Sequence, residues 1–199
     1  MKSLICVIGV LVATLGPALP VAAQSAGKAP DRAHMARALE SAMAPGEGQK
    51  RLNPLIGTFN VTMKTWVTPE GPPIESTAAS VNTWVLGGRY VQMMLNGDAP
   101  NDPFSGTGYI AYDNVTKTYQ AAWMDTGSTG ITMYTGKLDT SGKSALMKGA
   151  IPNALTGKPS PVELRMTIQP DGSHLTELWG QGKGAKMVKL MELQYTKVK

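Results

Sequence analysis

Cysteine, histidine and phenylalanine are scarce in this chain. Of 199 residues, one is cysteine, two are histidine and two are phenylalanine. The lone cysteine, Cys6, falls inside a short apolar run over residues 4–15. Lys2 ahead of that run and the small residues Val21-Ala22-Ala23 behind it have the layout of a secretory leader, with cleavage expected after Ala23. The run is short for a bilayer span, and Gly16-Pro17 and Pro20 break it. No stable membrane insertion is therefore expected after cleavage. The mature chain would carry no thiol, which excludes disulfides, thiolate metal sites and a cysteine nucleophile. A lipoprotein cysteine sits at the cleavage point, so Cys6 is not a lipidation site. The expected location is periplasmic or secreted.

The two histidines, His34 and His174, lie in different segments without a second ligand at metal-binding spacing, so no metal is expected. Charge is also thin, at 17% of residues. The formal balance of +5 falls to +4 when the leader and its Lys2 are removed. The nearest approach to a basic patch is Lys183, Lys186, Lys189, Lys197 and Lys199. Alternation makes these the wet face of a strand, where lysines block edge pairing. A nucleic-acid surface would need a basic stripe interleaved with aromatics, so no nucleic-acid partner is expected. A long helical pattern, an internal repeat and a low-complexity tract are missing as well. Without long helices, parallel βαβ units are excluded. There is no Gly-x-Ser-x-Gly nucleophile elbow. Gly180-Gln181-Gly182-Lys183-Gly184 joins two strands rather than opening a helix, which makes it a poor phosphate loop.

What is present is short alternating runs. Ten of them read as strands: 57–66, 75–86, 88–96, 104–113, 118–125, 130–138, 144–150, 161–168, 173–180 and 186–197. The turns between them have recognisable chemistry, as in Asp139-Thr140-Ser141-Gly142-Lys143 and Pro170-Asp171-Gly172. Short sequential connections predict an all-β fold, an antiparallel up-and-down barrel of about ten strands, closed so that no edge is left free. Ahead of it, Asp31 caps an expected helix over residues 32–43, with Met35, Leu39 and Met43 at four-residue spacing. Ala44-Pro45-Gly46 ends this helix, and a second helical turn is expected over residues 47–52. These segments either close one end of the barrel or form a loosely attached tail. The domain reading is a leader over 1–23, a linker and helix over 24–44, and a barrel over 45–199. Twelve methionines take on irregular packing that cysteine does not.

The organising hairpin is residues 108–130, with its turn at Asp113-Asn114. On its second strand Tyr119, Ala121, Trp123 and Asp125 share a face by the period of two. In the ninth strand Leu175, Glu177 and Trp179 share one face, and His174, Thr176 and Leu178 the other. The expectation is that the Leu175–Trp179 face turns inward. Glu177 would then be an acid on an apolar wall, with Arg89 as a possible partner. Such an acid must find a partner or shift its pKa upward.

Several ordered pieces resemble a known family. They are Leu55-Ile56-Gly57-Thr58-Phe59, Leu86-Gly87-Gly88-Arg89-Tyr90 and Gly106-Thr107-Gly108-Tyr109-Ile110-Ala111-Tyr112-Asp113, followed by Tyr119 to Asp125, Thr156-Gly157-Lys158-Pro159, His174 to Trp179 and Met191-Glu192-Leu193 with Tyr195. From about Pro45 onward the chain is similar to a large group of uncharacterised, mostly bacterial proteins placed among the calycin-like barrels. Where that family has Gly-x-Trp, this chain has Gly57-Thr58-Phe59. The resemblance implies a lipocalin-like or nitrobindin-like barrel and carries no activity.

The functional expectation is a small, largely apolar ligand held by Arg89, Tyr109, Trp123, Asp125, Glu177 and Trp179. Arg89 and the acids would orient a polar head, and the aromatics would contact the apolar body. Two alternatives stand beside it. One is an enzyme acting on a small lipophilic substrate with Asp125 or Glu177 as acid or base. The other is a packed structural barrel of the envelope. No cofactor is expected. Haem in particular is excluded by the choice of inner face, which turns His174 outward.

Overall fold

A computed structural model describes residues 31–97, 103–154, 156–182, 184 and 186–199. The expected leader, the lead over residues 24–30, the loop residues Asp98 and Pro100, and Lys183 lie outside the described residues.

Helix α1 spans Arg32–Met43. Asp31 caps it by accepting from the backbone N–H groups of Ala33 and His34, at 2.6 and 3.1 Å. None of its residues is buried, and Met35, Leu39 and Met43 lie in the open. Its C-terminal end is tied to the body by Asn114, whose side-chain amide donates to the carbonyls of Ser41, Ala42 and Ala44. Helix α2, Glu47–Lys50, and a 3-10 turn over Asn53–Leu55 behave differently. They drive Leu52 and Leu55 into the barrel, where both are fully buried. The two expected roles thus divide: α1 is the loosely attached segment, and α2 with the 3-10 turn closes the barrel end.

Ten strands follow: β1 Gly57–Thr65, β2 Ile74–Val85, β3 Tyr90–Gly97, β4 Ser105–Asp113, β5 Thr118–Asp125, β6 Thr132–Leu138, β7 Ser144–Pro152, β8 Pro159–Ile168, β9 His174–Gln181 and β10 Met187–Lys197. Each pairs antiparallel with the next, and β1 pairs with β10, so the sheet closes into an up-and-down barrel. Closure leaves no free edge. The β1–β10 seam carries Val61 opposite Tyr195 and Met63 opposite Leu193, an apolar pair row that faces in.

Parity around the barrel fixes what is inside. Phe59, Val61 and Met63 of β1, Val91 and Leu95 of β3, Ile110 of β4, Tyr119 and Ala121 of β5, and Met147 of β7 are all buried. In β8 the inward set is Val162, Leu164, Met166 and Ile168. The β8–β9 register places Leu164 opposite Leu178 and Ile168 opposite His174, while Arg165 faces Glu177. His174, Thr176 and Leu178 therefore point inward, and Glu177 and Trp179 point outward. This corrects the expected inner face of β9. The cause is register: directly opposed residues in neighbouring strands share a face, and the apolar alternation of β8 decides which one.

Candidate functional site

The end plug is bolted on by polar groups that the apolar pattern does not reveal. The Gln49 side chain donates to the Tyr112 carbonyl at 2.9 Å and accepts from the Gly46 N–H at 2.8 Å. The Tyr119 hydroxyl donates to the Gly48 carbonyl at 3.0 Å. Inside the barrel, the Asn82 amide donates to the Leu55 carbonyl at 2.9 Å, and Ser80 donates to Asn82 at the same distance. Each bond satisfies a group that burial would otherwise penalise. The signal for Ser80 and Asn82 was the alternation of small polar residues with Ala79 and Val81 in β2. It reads the wrong way round by hydrophobicity, because Val81 faces out.

Next to the plug sits His174, only 2% exposed. Its ring stacks on Tyr195 at 4.2 Å between centroids and meets the edge of Phe59 at 5.0 Å. Burial, helped by the nearby Lys197 charge and opposed by a contact between Nδ1 and the Gly172 carbonyl, brings its pKa down to about 4. Burial also raises the Tyr195 hydroxyl well above its usual range. His174 thus faces inward, contrary to the premise on which haem was excluded. Its ring is covered by two aromatic neighbours in a close-packed corner, an arrangement that does not fit an axial ligand with a macrocycle beside it.

Toward the opposite end part of the inner wall is only partly buried. Here Trp123, Asp125, Thr132, Ile151, Leu164, Thr176, Leu178 and Met191 share the inward parity yet remain partly exposed. Trp123 is the centre of this wall and packs against both apolar clusters of the core. Its ring lies over Gly106 and Gly108 of the neighbouring strand. A β-carbon at Gly106 would come within 2.4 Å of that ring, and one at Gly108 within 2.6 Å of it and 2.8 Å of the Ala122 carbonyl. The Gly106-Thr107-Gly108 sequence therefore makes room for the indole, which covers the bare strand in return. The indole N–H donates to Asp125 at 2.8 Å, and the other Asp125 oxygen accepts from the Gly127 N–H at 2.9 Å. Asp125 thus fixes the ring and caps the turn after β5. Burial, with a smaller contribution from the Asp125 charge, pushes the Tyr134 hydroxyl up to about 12.

Of the six expected ligand contacts, the structure brings only Trp123 and Asp125 together on the inner wall. Tyr109 is on the outer face of β4, where its hydroxyl accepts from the Gln92 amide at 3.1 Å. Arg89 is exposed at the end of the barrel and donates to the carbonyls of Leu86 and Gly87. It does not meet Glu177. Glu177 instead pairs on the outside with Lys189, which also binds Glu192 at 2.6 Å. Trp179 lies beside this group, with the Arg165 guanidinium 4.4 Å from its ring centroid and the Lys189 ammonium at 5.5 Å. Burial alone would lower the Lys189 pKa, but the hydrogen bonds and charges of Glu177 and Glu192 outweigh it and hold it raised. Asp125 and Glu177 lie on opposite sides of the barrel wall and form no acid–base pair.

Two clefts, of about 260 and 160 Å³, flank α2 outside the closed end, and none of the six residues lines either. Among the described residues no group of three His, Cys, Asp or Glu side chains is gathered for a metal. No helix among them is long and apolar enough to cross a membrane.

A closed ten-stranded up-and-down barrel with a short helical segment plugging one end defines the calycin-like class. Within that class the chain belongs to the family described as protein of unknown function (DUF1579), whose model matches residues 44–197. No curated protein matches the chain. The family match runs from the start of the plug to the last strand, so it covers the plugged barrel and leaves out α1.

Proposed function

We propose that the mature protein is an exported barrel that holds a small, largely apolar molecule in the half of its interior away from the plug. One observation carries this reading: Trp123, Leu164, Leu178 and Met191 point inward but stay partly exposed, with Leu164, Leu178 and Met191 side by side on β8, β9 and β10. Leaving apolar surface in water is costly, at about 25 cal/mol per Å², and a ligand would recover that loss. Sites for small ligands are mostly apolar with a few placed polar groups, a role open here to Thr132 and Thr176. Trp123 is the leading contact, because its ring is braced by Gly106 and Gly108 and its N–H is held by Asp125. Export is supported by Lys2, the apolar run over residues 4–15 and Val21-Ala22-Ala23.

Native mass spectrometry of the protein isolated from its own envelope fraction should show a non-covalent small-molecule adduct. The purified mature chain should also bind anilinonaphthalene sulfonate as an apolar probe. Trp123→Ala and Leu178→Glu should abolish probe binding, and Glu177→Gln should leave it unchanged. Equal binding by all of these proteins would overturn the assignment of the site. An N-terminus other than Gln24 in the exported protein would overturn the assigned cleavage point.

A further inference from the structure

The larger cleft at the closed end carries a separate chemistry. It has a volume of about 260 Å³ and is bounded by α2, the β4–β5 turn and the end of β6. Three cations reach it from three separate segments: Arg51 just after α2, Lys117 from the turn and Lys137 from β6. None of the three has a carboxylate within ion-pair distance among the described residues. The one acid on the cleft, Glu47, is engaged at 2.6 Å by Lys50. Asp113, outside the lining, accepts from the Val115 N–H and the Thr116 hydroxyl, both at 2.8 Å, and its charge partly offsets that of Lys117. Three cations and one acid leave the lining at +2.

Like charges gathered in one cleft repel each other, an arrangement that an anionic occupant relieves. Lys117 deepens the point. It holds φ at 57°, a backbone region that glycine occupies without strain and lysine does not. The floor of the cleft is rigid. The Tyr112 ring lies so close to Gly48 that a β-carbon there would fall 2.0 Å from it, and Tyr119 is bonded to the Gly48 carbonyl. Guanidinium and ammonium groups together suit the tetrahedral oxygens of a phosphate. The small volume excludes a large ligand. We propose that this cleft binds a compact phosphate monoester through Arg51, Lys117 and Lys137, with Tyr112 and Tyr119 beside its organic part. The site is at the plugged end of the barrel, outside its interior, and does not depend on the apolar-ligand reading.

The test is calorimetric titration of the full mature chain with phenyl phosphate, alongside sedimentation with vesicles of phosphatidylcholine with and without phosphatidic acid. Saturable binding of phenyl phosphate at one site is expected. Lys117→Gly, Lys137→Gln and Arg51→Gln should each weaken it roughly two- to fivefold, as expected for exposed charges, and the triple variant should lose it. Lys117→Gly also removes the backbone strain, so its thermal midpoint should not fall, which separates lost binding from lost folding. Binding of phenyl phosphate without vesicle binding assigns the site to a soluble monoester. Sedimentation that needs phosphatidic acid and is lost in Lys117→Gly assigns it to a lipid headgroup with the same chemistry. No saturable binding in either arm, or a triple variant that binds like the parent, would overturn the proposal.

Discussion

Toward the plugged end of the barrel Phe59, Ile110, Met147 and His174 point inward and none is more than 2% exposed, while Trp84, Tyr112 and Leu138 at the rim are partly exposed. Toward the other end Trp123, Leu164, Leu178 and Met191 have the same inward parity and comparable apolar character yet are partly exposed, while Met63, Leu95 and Val162 in the same half are buried. At the plugged end α2 and the 3-10 turn add Leu52 and Leu55 to the core, both fully buried. Inward parity alone therefore does not bury a residue in this fold, and its neighbours decide how much of it meets water.

The strongest way to break this comparison is to truncate a side chain at each end. Phe59→Ala should cost about 3–5 kcal/mol, as for a fully buried aromatic whose cavity cannot collapse. Leu178→Ala should cost less than about 2 kcal/mol, because part of its surface is already in water. Urea unfolding of both variants checks this, and equal losses would mean that the far end is as closely packed as the plugged one.

A pH series sharpens the same contrast. Folding lowers the His174 pKa from its ordinary value near 6.5 to about 4, so the unfolded chain takes up the proton more readily. The associated stability is present in full above about pH 6.5 and is lost as pH falls toward about pH 4, on the order of 3 kcal/mol in all. The positive group that opposes protonation is Lys197, and the Gly172 carbonyl favours it. Unfolding midpoints for the parent and for His174→Phe should diverge from this trend: the parent weakens on acidification, and the variant shows that component reduced. Parallel pH profiles would contradict the buried, neutral imidazole.

Toward the far end, Gly108→Ala should cost about 1–3 kcal/mol, because the new methyl meets both the Trp123 ring and the Ala122 carbonyl. Gly106→Ala meets only the ring and should cost less, while shifting tryptophan emission as the indole is displaced. The smallest effect belongs to the outer wall. Lys64→Met should change stability by about 1 kcal/mol or less, since its exposed ion pair with Glu75 contributes little net energy. It should leave probe binding inside the barrel untouched, as fluorescence titration would record.

Several features were determined by the sequence by itself. Alternation and turn chemistry predicted ten strands whose observed ends differ by no more than two residues from the expected ones, and Asp31 marked the start of α1. Those signals are local, because a strand's period of two and a capping side chain depend only on near neighbours. The facing of β9 was not local. Leu175 and Trp179 on one side and Leu178 with His174 on the other make two almost equally apolar faces, so hydrophobicity could not choose between them. The choice was still written in β8, where Val162, Leu164, Met166 and Ile168 alternate cleanly with Glu163, Arg165 and Thr167. Carrying that parity across the turn at Pro170-Asp171-Gly172 puts His174 inside, opposite Ile168. Only the tertiary structure decided the rest: that Gln49 and Asn82 hold the plug, that Trp123 rests on two glycines of the next strand, and that Arg51, Lys117 and Lys137 meet at one cleft. Each of these brings together residues from different segments, and no periodicity within one segment encodes the meeting, because it is fixed by how the closed barrel sets its strands against one another and against the plug.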